Sequence, residues 1–207
     1  MARYDFRTPR IYLDAALATG AEVALGRDQA NHIVNVLRRK PGDAVLLFNG
    51  RDGEWLATLT GPAKRASALI ERRTREQPGP GDLHFLFAPL KHARLDYLVQ
   101  KAVELGASHL QPVITRHTQV ARVNLERMRA NVVEAAQQCG VLALPAVAEP
   151  VALAGLADGV DSGRLLVFCD EDAAVKDPVA ALALVQAVLG DWREDAAAAP
   201  PAQPHPV

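Results

Sequence analysis

The sequence runs to 207 residues, 49% of them hydrophobic and 23% charged, with a formal net charge of −1. That mixture reads as an ordinary globular chain with a real core rather than a disordered one, and no apolar run approaches the length of a helical bilayer span. The near-neutral total conceals a split: residues 1–75 carry 13 Lys and Arg against 8 Asp and Glu, net +5, while residues 76–207 carry 10 against 16, net −6.

The first expected elements are short β-type runs at residues 10–13, 22–25, 44–48, 54–60 and 66–71. Asn49-Gly50 and Asp52-Gly53 supply the positive φ that hairpin turns need. Between the second and third runs, Asp28 to Arg39 reads as a helix capped by Asp28, with Ala30, Ile33, Val34 and Leu37 on one face. These elements predict a small β-barrel domain with one helix. Gln77-Pro78-Gly79-Pro80-Gly81 can continue neither a helix nor a sheet ladder, so a domain boundary is expected there, dividing residues 1–76 from 82–192.

Beyond the boundary, apolar runs alternate with amphipathic helices, the pattern of an α/β sheet. Leu83 to Ala88, His109 to Ile114 and Leu165 to Cys169 read as buried strands. A helix from His92 to Leu105 turns Leu95, Leu98, Val99 and Ala102 inward and stops at Gly106. Another runs from Leu125 to Gln138, capped by Asn124 and ended by Gly140, with Leu125, Met128, Val132 and Ala135 or Ala136 inward. A third opens with Asp177 as cap and Pro178 as first residue. The Ala/Pro-rich residues 193–207 are expected to be disordered.

No Walker loop, G-x-G-x-x-G, H-E-x-x-H or G-x-S-x-G occurs. Cys139 and Cys169 stand apart without metal-ligand or redox spacing, which reads as two small buried hydrophobes and no metal site. Met1 to Arg10 mixes both signs of charge with no apolar stretch behind it, so a secretory leader is not expected and a cytoplasmic location is. The basic front part admits either a solvated surface or a polyanion contact, since phosphates attract clustered cations whatever the sequence.

Longer patterns are more informative. Arg10-Ile11-Tyr12, Asn31-His32-Ile33, Val36-Leu37-Arg38-Arg39 and Pro41-Gly42-Asp43 come first. Lys91, Gln100-Lys101-Ala102-Val103-Glu104-Leu105-Gly106, Pro112, Thr115-Arg116 and Glu134 to Gly140 with Pro145 follow. In that order and spacing, over about 170 residues, they resemble the RsmE-type 16S rRNA uridine N3-methyltransferases. The resemblance implies a PUA-like RNA-binding barrel followed by a knotted SPOUT-type α/β domain. It also implies a homodimer that uses S-adenosylmethionine as methyl donor and 16S rRNA or the small ribosomal subunit as partner, with no membrane and no metal.

On that resemblance Arg10, His32, Arg38, Arg39, Lys40, Lys91 and Arg116 are the expected RNA contacts, and Lys101, Glu104 and Gln138 the site-supporting residues. Cys169, Asp170 and Glu171 are the expected donor contacts; no catalytic proton acceptor is assigned. Plainer readings stand beside these. His32 could pack or cap, Arg38 to Lys40 could complement a helix dipole, and Lys101 with Glu104 could be a surface pair worth about 0.2 to 0.5 kcal/mol. Arg116 could be structural, and Asp170 and Glu171 could hold a ribose hydroxyl or only water.

The chain departs from the family at Gln137, where a Glu is usual, and at Val141, where an Arg is usual. After Asp170-Glu171-Asp172 the family's G-P-E-G-G segment is absent, and residues 173–179 lead straight toward what resembles the family's final helix. The expected function is N3-methylation of a 16S rRNA uridine. The alternative is a non-catalytic RNA-binding remnant without a donor pocket, and an incomplete knot is expected.

Overall fold

A computed structural model of the chain describes residues 7–62, 65–120, 122–156, 161, 163–170 and 172–185. The chain divides into two units, Met1–Val160 and Asp161–Val207. Residues 193–207 and Glu171 lie outside the described residues.

The first unit holds two sheets. Strands β1 (Arg10–Tyr12), β2 (Glu22–Ala24), β3 (Ala44–Phe48), β4 (Glu54–Thr60) and β5 (Ser67–Arg75) form one sheet in the order β1-β3-β4-β5-β2. Only the β1–β3 pair is parallel. The β3–β4 hairpin forms because Asn49 Oδ1 accepts from the N–H groups of Arg51 and Asp52, and Gly50 and Gly53 take φ of 81° and 85°. Alternation then turns Val45, Leu47, Ala57, Leu59, Ala68 and Ile70 into one core with Ile11, Leu13, Val23 and Ile33.

The first helix differs from expectation. Helix α1 covers Arg27–Asn31 with Gly26 as its N-cap, so Asp28 sits in the first turn rather than at the cap. Gln29 Oε1, three residues into the helix, instead accepts the N–H of the cap residue Gly26 (2.7 Å). The helix continues as a π-helical turn, His32–Val36, in which the Leu37 N–H reaches His32 O (2.9 Å). A π turn adds a residue per revolution, so Ile33 is fully buried while Leu37 rotates outward from the face that a 3.6-residue period predicts.

The second sheet is all parallel. Strands β6 (His84–Phe87), β7 (His109–Ile114) and β8 (Ala146–Val147) lie in the order β6-β7-β8, and β9 (Val151–Ala152) also pairs with β7. Helices α2 (His92–Glu104) and α3 (Leu125–Cys139) pack on it, and a short α4 (Leu153–Leu156) follows β9. Asn124 caps α3 through the Arg127 N–H, and Gly140 ends it in the left-handed region at φ 75°. Val99, Val103, Leu110, Met128, Val132, Ala136 and Leu142 fill this second core.

The two sheets meet at a seam. Phe48, at the end of β3, is fully buried in the α/β core and packs edge-on against Tyr12, ring centroids 5.6 Å apart. Beside it the Arg10 Nε donates to Glu54 Oε2 at 2.6 Å, with both side chains only 4% exposed. Gln137 Oε1 accepts the Tyr12 N–H (2.8 Å), and the Arg75 guanidinium donates to Gly140 O (2.9 Å). Residues expected in two domains are thus bolted into one unit.

In the second unit, residues 178–185 are helical, and the expected cap is present: Asp177 Oδ1 accepts the Ala180 N–H at 3.0 Å. The expected strand Leu165 to Cys169 is absent. These residues form no ladder and are exposed, Phe168 at 81%. A strand needs a neighbour to take its N–H and C=O groups, and no strand is paired to this run among the described residues. Cys169 is accordingly exposed rather than buried, whereas Cys139 is half-buried against the α/β core. No helix among the described residues is long and apolar enough to cross a membrane.

Candidate nucleic-acid interface

The expected RNA contacts separate into two places and one exception. His32, Arg38 and Lys40 are exposed around the π-helical turn, and Arg39 is half-buried, with its guanidinium donating to Arg7 O at 3.3 Å. Arg38 is the sole described non-glycine residue with positive φ, 54°. A left-handed L-residue costs roughly 1 to 2 kcal/mol. The turn is closed by the Arg39 N–H to Ile33 O (3.0 Å), and it holds the Arg38 side chain in solvent. Val36, 62% exposed, and Leu37 flank it, so the tip presents cations on an apolar base.

Lys91 and Arg116 belong to the second place. Lys91 follows β6 and precedes α2, and Arg116 follows β7; both are exposed at the carboxyl edge of adjacent parallel strands. That edge is where ligands bind in open α/β sheets.

Arg10 is the exception. Its guanidinium is enclosed by Glu54, with Gln137 O also 3.4 Å from Nη1, so it fastens the seam instead of facing RNA. The partner lies 44 residues away, which no local pattern could reveal.

Lys101, Glu104 and Gln138 are brought together on the surface of α2 and α3. Lys101 Nζ meets Glu104 Oε2 at 2.7 Å, and Gln100 Nε2 bridges Glu104 (3.0 Å) and Gln138 (3.5 Å). The hydrogen bond to Glu104 raises the Lys101 pKa, and the same bond lowers that of Glu104. Both therefore stay charged over a widened pH range. The pair borders an open apolar groove of about 630 Å³ lined by Leu83, Phe85, Tyr97, Leu98 and Leu105.

In the second unit, Asp170 Oδ1 accepts the Asp172 N–H (3.0 Å) and closes its own turn, while Cys169 stands in solvent.

Sequence reasoning missed a further cluster. Between the amino ends of α2 and α3 and the loop after β7 lies a cavity of about 410 Å³. In its wall the Arg127 guanidinium grips Asp96 through Nε (3.0 Å) and Nη2, and Asn131 Nδ2 donates to the same carboxylate (2.7 Å). That bond to Asp96 raises the Arg127 pKa further. The signal was a polar residue on each of two helices otherwise read for their apolar faces.

Comparison with known proteins accounts for this arrangement. Residues 77–190 match the RNA methyltransferase domain and residues 25–71 the RNA methyltransferase PUA domain. The ribosomal RNA small subunit methyltransferase E of Rickettsia conorii is 32% identical over 146 residues, 70% of this chain and 60% of that protein. Its counterpart from Synechocystis is 31% identical over 133 residues, 63% of this chain and 44% of that protein. The chain thus spans about 60% or less of the length of these two curated relatives.

Among solved structures, the small subunit methyltransferase E of Neisseria gonorrhoeae, bound to S-adenosyl methionine, superposes with a TM-score of 0.68 at 31% identity. The match covers 75% of this chain and 67% of that one. A Legionella pneumophila methyltransferase in complex with the same cofactor gives 0.71 at 25% identity, covering 81% and 72%. The barrel ahead of a parallel α/β sheet is therefore the PUA-plus-SPOUT arrangement, and the chain belongs to the RNA methyltransferase domain family.

Proposed function

We propose that the protein is a ribosomal small-subunit RNA methyltransferase that places a methyl group from S-adenosylmethionine on N3 of a 16S rRNA uridine. The observation that carries the reading is the cationic tip His32 to Lys40 on a PUA-type barrel, joined through the Tyr12–Gln137 and Arg75–Gly140 hydrogen bonds to an α/β layer of the methyltransferase family. The functional division runs at residues 76 and 82, with 1–76 gripping RNA and 82–192 serving transfer. The work is cytoplasmic, where its rRNA partner is made.

The chemistry divides between what the family supplies and what these residues do. When bound, the donor supplies an electrophilic methyl on a sulfonium. Cys169, Asp170 and Glu171 would hold it, and the RNA half of the reaction falls to the cations of the first unit. Arg38 and Lys40 on the tip, and Lys91 and Arg116 at the carboxyl edge of β6 and β7, contact phosphates and fix the register of the strand. Taking a uridine out of its stack costs a few kcal/mol, which these contacts offset. Holding donor and acceptor in line is worth about 7 to 11 kcal/mol. The hydrogen-bonded seam keeps the barrel's RNA in register with the sheet edge. Lys101, Glu104 and Gln138 brace α2 against α3 behind that edge. The exposed apolar groove along α2 supports a homodimer.

The test uses purified chain, labelled donor and small subunits from a strain lacking the modification. N3-methyluridine in digested 16S rRNA is the expected product; none at stoichiometric enzyme refutes the reaction. Replacing Arg38 and Lys40 by Ala should lower RNA affinity and reduce the slope of log affinity against log salt by roughly one per lost phosphate contact. A dimer mass in light scattering, lost in Leu105→Glu, tests the oligomer.

A further inference from the structure

We propose that the cavity between the amino ends of α2 and α3 binds a single unpaired ribonucleotide, its base in the apolar interior and its phosphate at the rim. This deepens the RNA-binding reading and rests on it. The floor is apolar and packed: Val99 and Met128 are fully or nearly fully buried, and Leu95 and Val123 pack against the same core. Such walls suit the two faces of a base. A volume of about 410 Å³ falls in the range of small-ligand pockets, which run from about 300 to 1,000 Å³, and has room for one nucleotide.

The rim is cationic. Lys91 and Arg122 are exposed there, and neither forms an ion pair among the described residues. Arg127 is occupied by Asp96, which leaves the Asp96 carboxylate neutralised and the lining net positive. The amino ends of two helices of 13 and 15 residues add partial positive charge on the same side. Asn131 gives its amide N–H to Asp96, so its Oδ1 is left to read a base edge, as is the Gln119 amide at the mouth. A sulfonium donor is disfavoured by the same positive lining. The cavity therefore selects the nucleic acid over the methyl donor.

Titration calorimetry of the full chain with uridine 5′-monophosphate should give a measurable heat of binding. Arg122→Ala should weaken it roughly tenfold, the loss of one charge-assisted contact. Val123→Trp, which fills the interior, should abolish it. Because that variant could misfold, amide shifts of Asn131 and Gln119 in the unaltered protein provide an independent reading; they should move with added nucleotide. No binding at millimolar nucleotide, shifts confined to other residues, or displacement of the nucleotide by S-adenosylmethionine overturns the proposal. Nucleotide binding without rRNA binding would sink the functional reading and leave the pocket standing. Binding of rRNA that is indifferent to Arg122→Ala and Val123→Trp would do the reverse.

Discussion

Strand β3 and the run Leu165 to Phe168 have the same kind of sequence and opposite outcomes. Val45, Leu46, Leu47 and Phe48 are almost wholly buried between two neighbouring strands, whereas Leu165, Leu166, Val167 and Phe168 are more than half exposed and unpaired. The lesson is that β-propensity measures fitness for a pleated, half-buried surface and does not create one. What β3 has is a turn that returns the chain beside it, in Asn49 to Gly53, and a parallel partner in β1.

That contrast can be broken or sharpened experimentally. The largest effect should come from the seam beside β3. Glu54→Ala leaves the Arg10 guanidinium buried without its carboxylate, and removing one member of a buried pair costs about 3 to 5 kcal/mol. Urea unfolding should show it as a shift in midpoint with an unchanged slope. Next comes the turn. At Gly53 an added Cβ would lie 2.4 Å from Arg75 O on a backbone with φ +85°, so Gly53→Ala combines a clash with left-handed strain. A loss of about 2 to 3 kcal/mol is expected in the same assay.

A smaller effect is pH-dependent. Hydrogen bonds from the Asn49 side chain and then from the Leu17 N–H hold the Asp52 carboxyl below its usual range. A folded pKa below the unfolded one adds stability above the unfolded value, and that stability is lost as pH falls through the folded one. Asp52→Asn should therefore flatten the acid limb of a stability profile below about pH 4. The smallest effect belongs to the unpaired run, where Leu166→Ser should change stability by no more than about 0.5 kcal/mol. A large loss there would show that the run is packed after all.

Much of the fold was legible because its signals are local. Short β-type runs set off by turn residues located all five strands of the first sheet, and the 3.6-residue stripe found α2 and α3, the latter with its caps at Asn124 and Gly140. What escaped depends on partners distant in sequence or on a change of helical pitch. The π turn moved Leu37 to the surface, and Arg10 was assigned to RNA because its charge was visible and Glu54's proximity was not. The same limit applied to the Asp96–Arg127–Asn131 cluster, 31 and 35 residues apart, and with it the cavity. Leu165 to Cys169 failed in the other direction: composition was read as a strand without a partner to pair it.

The seam also constrains how such proteins could be recombined. A barrel from one relative grafted onto the α/β layer of another would bring its own Tyr12 and Arg75 to a foreign Gln137 and Gly140. Chimeras that exchange the front portion at residue 76 should lose solubility unless the helix end carrying Gln137 travels with it. The heritable module is then set by where the hydrogen bonds from Tyr12 and Arg75 close on the end of α3, and the proline-glycine stretch marks only where the chain passes from one sheet to the next.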